Sequence, residues 1–205
     1  MEQGLRDGEQ GAHVRPALHD LFAALEQPRR PWLEEAALRD AFHRHAANQH
    51  PDLATGDSDT FTKSNRAFAT LRDPVKRLRH LLELENPEAL SHAGTIPSDL
   101  AELFPQIGAA RLAMLALATH RRAATTALSR ALLGAEEAAA RATADRARAA
   151  LDVMRSAAFE TLRELDAEWP SESTRAALPE LHRRLAFLSR WDEQLREAAL
   201  ACELG

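Results

Sequence analysis

His50-Pro51-Asp52 places an imidazole, a rigid ring and a carboxylate side by side. Pro51 fixes its own φ and pushes His50 into an extended conformation. Asp52 then projects a carboxylate from a stiff turn, where it can take both N–H groups of an arginine on another protein. The bland alternative is that Asp52 caps the loop and His50 packs locally. A metal set built from His43, His45 and His50 fails on geometry, because residues two apart on a helix point in different directions. No nearby cysteine or carboxylate completes such a set, so neither a metal nor a cofactor is expected. Cys202 is the single cysteine, which rules out an internal disulfide. It has no activating partner in the sequence and is read as a packed thiol. No nucleophile–base pair, phosphate-binding glycine loop or zinc-finger spacing is present, so the chain is not read as an enzyme.

A turn of this kind needs helices on both sides. Ala17 to Leu25 carries Leu18, Leu21, Phe22 and Leu25 at helical spacing. Pro28 and Pro31 then punctuate the chain. The pattern predicts a second helix over Trp32 to Gln49, with Leu38, Phe42 and Ala46 on one face, ending where Pro51 forbids its continuation. Thr60 to Arg72 forms a third, with Phe61, Asn65, Phe68 and Leu71 in a stripe. Asp73-Pro74 is a capped restart, opening a fourth helix through Leu84.

The remaining chain is strongly Ala-rich. Residues 86–98 hold two prolines and one glycine and read as a linker. Helices are predicted over Gln106 to Leu133 with Gly134 as the stop, over Glu136 to Trp169, and over Pro179 to Leu204. Three long helices with short turns predict an antiparallel bundle. The first residues, 1–16, lack periodicity and read as a tail.

Composition agrees with an all-α chain. The 205 residues contain no tyrosine and few Val or Ile, so β-formers are scarce. A core of Ala and Leu buries little area per side chain and requires close helix approach. The net charge of −5 argues against a general nucleic-acid binder. No apolar run is long enough for a bilayer, and the first twenty residues lack the apolar stretch of a signal peptide. A reducing cytoplasm is the expected location.

The stretch Asn65-Arg66-Ala67-Phe68, followed by Leu71-Arg72-Asp73-Pro74-Val75-Lys76-Arg77, resembles the J-domain pattern on the C-terminal side of the His-Pro-Asp turn. The resemblance covers about residues 17–84. It implies that His50, Pro51 and Asp52, with Arg44, Lys76 and Arg77, engage a DnaK-type chaperone and stimulate its ATPase. Asn48, Gln49 and Leu53 depart from the family, which often has basic or Tyr residues there; Arg39, His43 and Arg44 still supply a basic face.

The chain also resembles HscB, the J-domain co-chaperone of iron–sulfur cluster assembly. Leu71-Arg72-Asp73-Pro74, continued by Arg77, His80, Leu81 and Leu82, is similar to that family's fourth-helix segment. Leu100-Ala101-Glu102-Leu103-Phe104 resembles the start of its C-terminal three-helix bundle. Leu185-Ala186-Phe187-Leu188 resembles a segment of its last helix. The resemblance implies Leu100, Phe104 and Phe187 as contacts for an IscU-type scaffold client. Helical spacing, by contrast, assigns Phe104 to the core, and places Phe187 partly off the Leu181, Leu185 and Leu188 face. Pro105 replaces the family's continuation and is expected to restart or kink the helix.

The expectation is therefore an all-α protein: a tail over 1–16, a J-domain over 17–85, a linker over 86–98 and a client-binding three-helix bundle over 99–205. Its partners would be an HscA/DnaK-type chaperone and an IscU-type scaffold, with no nucleic acid and no membrane. The rivals are a J-domain protein with another client and a J-like helical adaptor that does not stimulate a chaperone.

Overall fold

The computed structural model describes residues 19–49, 58–92 and 95–204. Among them every regular element is helical. Helix α1 (Leu21–Ala24) is short because a complete cap closes each end. Asp20 accepts hydrogen bonds from the N–H groups of Phe22 and Ala23. At the other end Gln27 N–H donates to Phe22 O and Glu26 N–H to Ala23 O, with Glu26 in the left-handed region at φ 51°. That is a Schellman stop with glutamate where glycine is usual.

Helix α2 (Glu35–Gln49) and α3 (Ser58–Leu71) pack as a hairpin. Leu38 and Ala41 are buried in it, and the Phe42 and Phe68 rings stack at 4.4 Å. Asp73 caps α4 (Pro74–Glu85), accepting from the Val75 and Lys76 N–H groups, with Pro74 at the first position. Two 3-10 turns, Pro87–His92 and Ser98–Leu100, lead to the bundle.

The bundle consists of α5 (Leu103–Ala123), α7 (Gly134–Ala167) and α8 (Glu172–Glu203), each packed on the other two. Its boundaries differ from the sequence expectation in three places. The first bundle helix stops at Ala123, and a separate helix α6 (Ala127–Leu132) starts behind a Thr126/Ser129 capping box. Gly134 opens α7 rather than closing its predecessor; no described glycine adopts positive φ. Helix α8 begins well before Pro179, because Ser171 accepts from Thr174 N–H and caps it; Pro179 is carried inside. Pro105 neither restarts nor kinks α5. It sits in the first turn, where its missing N–H has no helical acceptor to lose.

One apolar core runs through both halves, from Leu21 and Phe22 to Leu188 and Leu195. A second, smaller cluster of Met114, Leu117, Ala118, Ala140, Ala144, Ala198 and Cys202 fills the far end of the bundle. Cys202 is a buried free thiol, as its packing role requires. No described helix is long and apolar enough to cross a membrane.

Candidate functional site

The turn His50-Pro51-Asp52 lies outside the described residues; its flanking helices α2 and α3 end and begin at Gln49 and Ser58. The hairpin face beside it carries exposed Arg39, His43 and Arg44. Arg39 pairs with Glu35 one turn back. Glu35, Arg39, Phe42, His43, Phe68 and Arg72 line a cavity of about 520 Å³. The Arg72 guanidinium lies 5.9 Å from the Phe68 ring centre, a cation–π geometry. Among the described residues no group of three metal-ligating side chains gathers.

Two residues expected on the chaperone-facing surface of α4 part company. Lys76 is exposed and lies 3.5 Å from Asp73. Arg77 is buried: its Nε donates to Pro31 O at 2.8 Å and its Nη1 to Leu71 O at 2.7 Å. Burial lowers its pKa to about 10, against the opposing pull of Asp166 and Asp73. It is therefore still charged at neutral pH. A cation at the carbonyl end of α3 is favourable. Arg77 thus fastens α4 to α3 and to the segment before α2, and does not present a free guanidinium.

The expected client residues are redistributed too. Leu100 is fully buried and Phe187 is only 8% exposed, whereas Phe104 is 54% exposed. Helical spacing had suggested the reverse for the two phenylalanines. The buried Trp191 ring lies between them, 5.7 Å from Phe187 and 6.1 Å from Phe104, and Phe104, in the first turn of α5, is left at the rim.

The sequence reading missed the joint between the halves. Asp166, near the end of α7, accepts from Arg30 Nε at 2.9 Å and from Trp32 N–H at 2.9 Å. A second Arg30 nitrogen completes a bidentate pair. The Arg163 guanidinium covers the Trp32 ring at 4.5 Å, and Trp169 Nε1 donates to Arg29 O at 2.8 Å. The segment Pro28 to Trp32, whose prolines were read only as punctuation, is thus the clamp. Two arginines between prolines, with a tryptophan directly after, were the available signal. Within the first half, His80 fixes α4 to α1. Its Nε2 accepts from Leu21 N–H at 3.0 Å, and its ring stacks on Phe22 at 5.7 Å. The acceptor role requires neutral imidazole, and burial lowers the His80 pKa accordingly, with Glu83 and Asp20 opposing.

No family model matches the chain. Its sequence is similar to a co-chaperone HscB homologue of Aromatoleum aromaticum, 36% identical over 87 residues, covering 38% of this chain and 49% of the relative. It is 34% identical over 92 residues to the HscB homologue of Paraburkholderia phytofirmans, covering 41% and 51%. A mitochondrial J-type co-chaperone of Saccharomyces cerevisiae is 33% identical over 52 residues, 25% of this chain and 28% of that one. The matched region spans about half the length of the HscB relatives. The solved structure of the chaperone HscB from Vibrio cholerae superimposes with a TM-score of 0.55 at 18% identity, covering 90% of this chain and 99% of the other. This all-α chain therefore has the fold of HscB from Vibrio cholerae and, over the matched segment, is similar in sequence to HscB-type and J-type co-chaperones.

Proposed function

We propose that the chain stimulates the ATPase of an HscA/DnaK-type chaperone and delivers to it an iron–sulfur scaffold of the IscU type. The observation that carries this reading is the sequence His50-Pro51-Asp52, which falls between α2 and α3 in the chain, read together with the HscB-like fold. In this reading residues 17–85 act on the chaperone and 99–205 hold the client, with 86–98 between them. The chemistry occurs in the partner, and the chain itself performs none. It binds one conformational state of the chaperone more tightly and so shifts the equilibrium towards hydrolysis.

Asp52 makes the directional contact with a chaperone arginine. His50 and Pro51 hold its turn, and exposed Arg44 and Lys76 steer encounter. Arg77 acts from below, holding α4 in register with α3. On the client side Phe104 offers the accessible ring, and Leu100 and Phe187 support it from the core. A single exposed aromatic beside a packed cluster is the usual make-up of an interface anchor.

The test is single-turnover ATP hydrolysis by the chaperone, with and without scaffold protein. Stimulation by the chain, increased further by the scaffold, is the expected result. Phe104→Ala should abolish the extra increment and leave the scaffold-free rate unchanged. Stimulation without any scaffold increment would indicate another client. No stimulation at all would indicate a J-like adaptor.

A further inference from the structure

We infer that the groove between α4 and α8 is a docking site for an acidic peptide segment carrying apolar side chains. The groove encloses about 290 Å³. Val75, Leu90, Pro179 and Phe187 give it an apolar floor, while Lys76, Arg79, Arg183 and Arg190 line it with positive charge. Among the described lining residues there is no carboxylate, in a chain whose net charge is −5. Such local concentration of one sign marks a complementary partner.

The cations are not consumed by the groove itself. Arg79 pairs with Glu83 at 2.9 Å and Arg183 with Glu180 at 3.1 Å, each within its own helix. Lys76 lies 3.5 Å from Asp73. The Arg190 guanidinium stands over the Phe187 ring at 5.7 Å. Lys76 and Arg79 are exposed and Arg183 is half-buried in these pairs, each within one helix and of low energy, so a partner carboxylate can replace them. His182 also faces the groove. Burial lowers its pKa, Arg79 and Arg183 lower it further, and Glu83 opposes them. It is thus neutral at pH 7 and able to accept or donate one hydrogen bond.

The number and spread of the cations select the occupant. They lie on two helices, so they suit several carboxylates along a chain. A fatty acid would offer one. The apolar floor separates the site from a purely electrostatic patch and suits one or two aliphatic side chains. The inference needs neither the identity of the chaperone nor that of the client.

The experiment is a fluorescence anisotropy titration of the full chain with a fluorescein-labelled ten-residue peptide of alternating Glu and Leu pairs. Saturable binding is expected, weakened at least about tenfold by Arg79→Glu with Arg190→Glu. The charge-neutral pair Arg79→Gln with Arg190→Gln should weaken it less, and circular dichroism should show both variants folded. Arg141→Glu with Arg146→Glu, on the exposed surface of α7, should leave binding unchanged. An all-Glu peptide binding equally well would overturn the inference in favour of simple charge attraction. Oleate displacing the peptide at equal or lower concentration would overturn it in favour of a fatty-acid site. Unchanged binding in the groove variants would place the peptide elsewhere.

Discussion

The two ends of the bundle are built on opposite principles. At the end that meets α1–α4, directional bonds cross between the halves, from Arg30 and the Trp32 N–H to Asp166 and from Trp169 Nε1 to Arg29 O, beside a first half that Phe22, His80 and Arg77 lock together internally. At the far end the core is four alanines with Met114, Leu117 and Cys202. The first end has many directional bonds and therefore one acceptable arrangement. The second has close approach and one bridging cation, Arg121, which donates to Cys202 O at 2.9 Å and pairs with Glu137 at 2.7 Å. Buried polar groups are costly when unpaired, so they enforce a specific placement of the two halves. Alanine packing enforces only distance.

The contrast predicts that the joint breaks by subtraction and the tip by addition. Phe22 is fully buried, and Phe22→Ala should cost about 4 kcal/mol through lost burial and the cavity left behind. Urea unfolding measures it; a cost below about 1 kcal/mol would mean that α1 is not part of the shared core. Asp166→Ala should cost about 2–3 kcal/mol, because the Trp32 N–H and the Arg30 guanidinium lose their acceptor. A double-mutant cycle with Arg30→Ala should show coupling of at least about 0.5 kcal/mol, whereas additive costs would deny the clamp. At the tip, Ala144→Leu should destabilise by about 1–3 kcal/mol, since Ala144 is buried in a cluster of small side chains that extra methylenes would overpack. A stabilised Ala144→Leu would show that the tip is loosely packed.

Acid provides the finest test. His80 and His182 both have pKa values below the ordinary 6.5 in the folded state, chiefly through burial. As pH falls below about 6.5 the unfolded chain takes up protons that the folded chain does not, so stability declines with falling pH. Their contribution is fully present above that pH. The urea midpoint should therefore fall from pH 7 towards pH 5, and His80→Gln with His182→Gln should flatten the slope in that window. An unchanged slope would assign the acid sensitivity to other groups.

Much of the architecture was legible in the sequence. Periodicity located all the long helices, and Asp73-Pro74 marked the α4 start to the residue. Boundaries failed where a weaker cap outranked a stronger symbol: Thr126 and Ser129 split a helix that Gly134 seemed to close, and Ser171 started α8 ahead of Pro179. At the site, residue type did not reveal burial. Arg77 looks like its neighbour Lys76 in sequence, yet two carbonyls draw it inside. Phe104 and Phe187 exchange their expected exposures, a tertiary fact with no local signature. The joint was hidden for the same reason, since Arg30 and Asp166 stand 136 residues apart.

The central claim concerns one carboxylate. Single-turnover ATP hydrolysis by an HscA/DnaK-type chaperone, with wild-type chain and with Asp52→Asn at equal concentration, tests it most directly. Stimulation by the wild type and its loss in Asp52→Asn, with the urea midpoint unchanged, is the predicted result. Equal stimulation by both, or by neither, would contradict it.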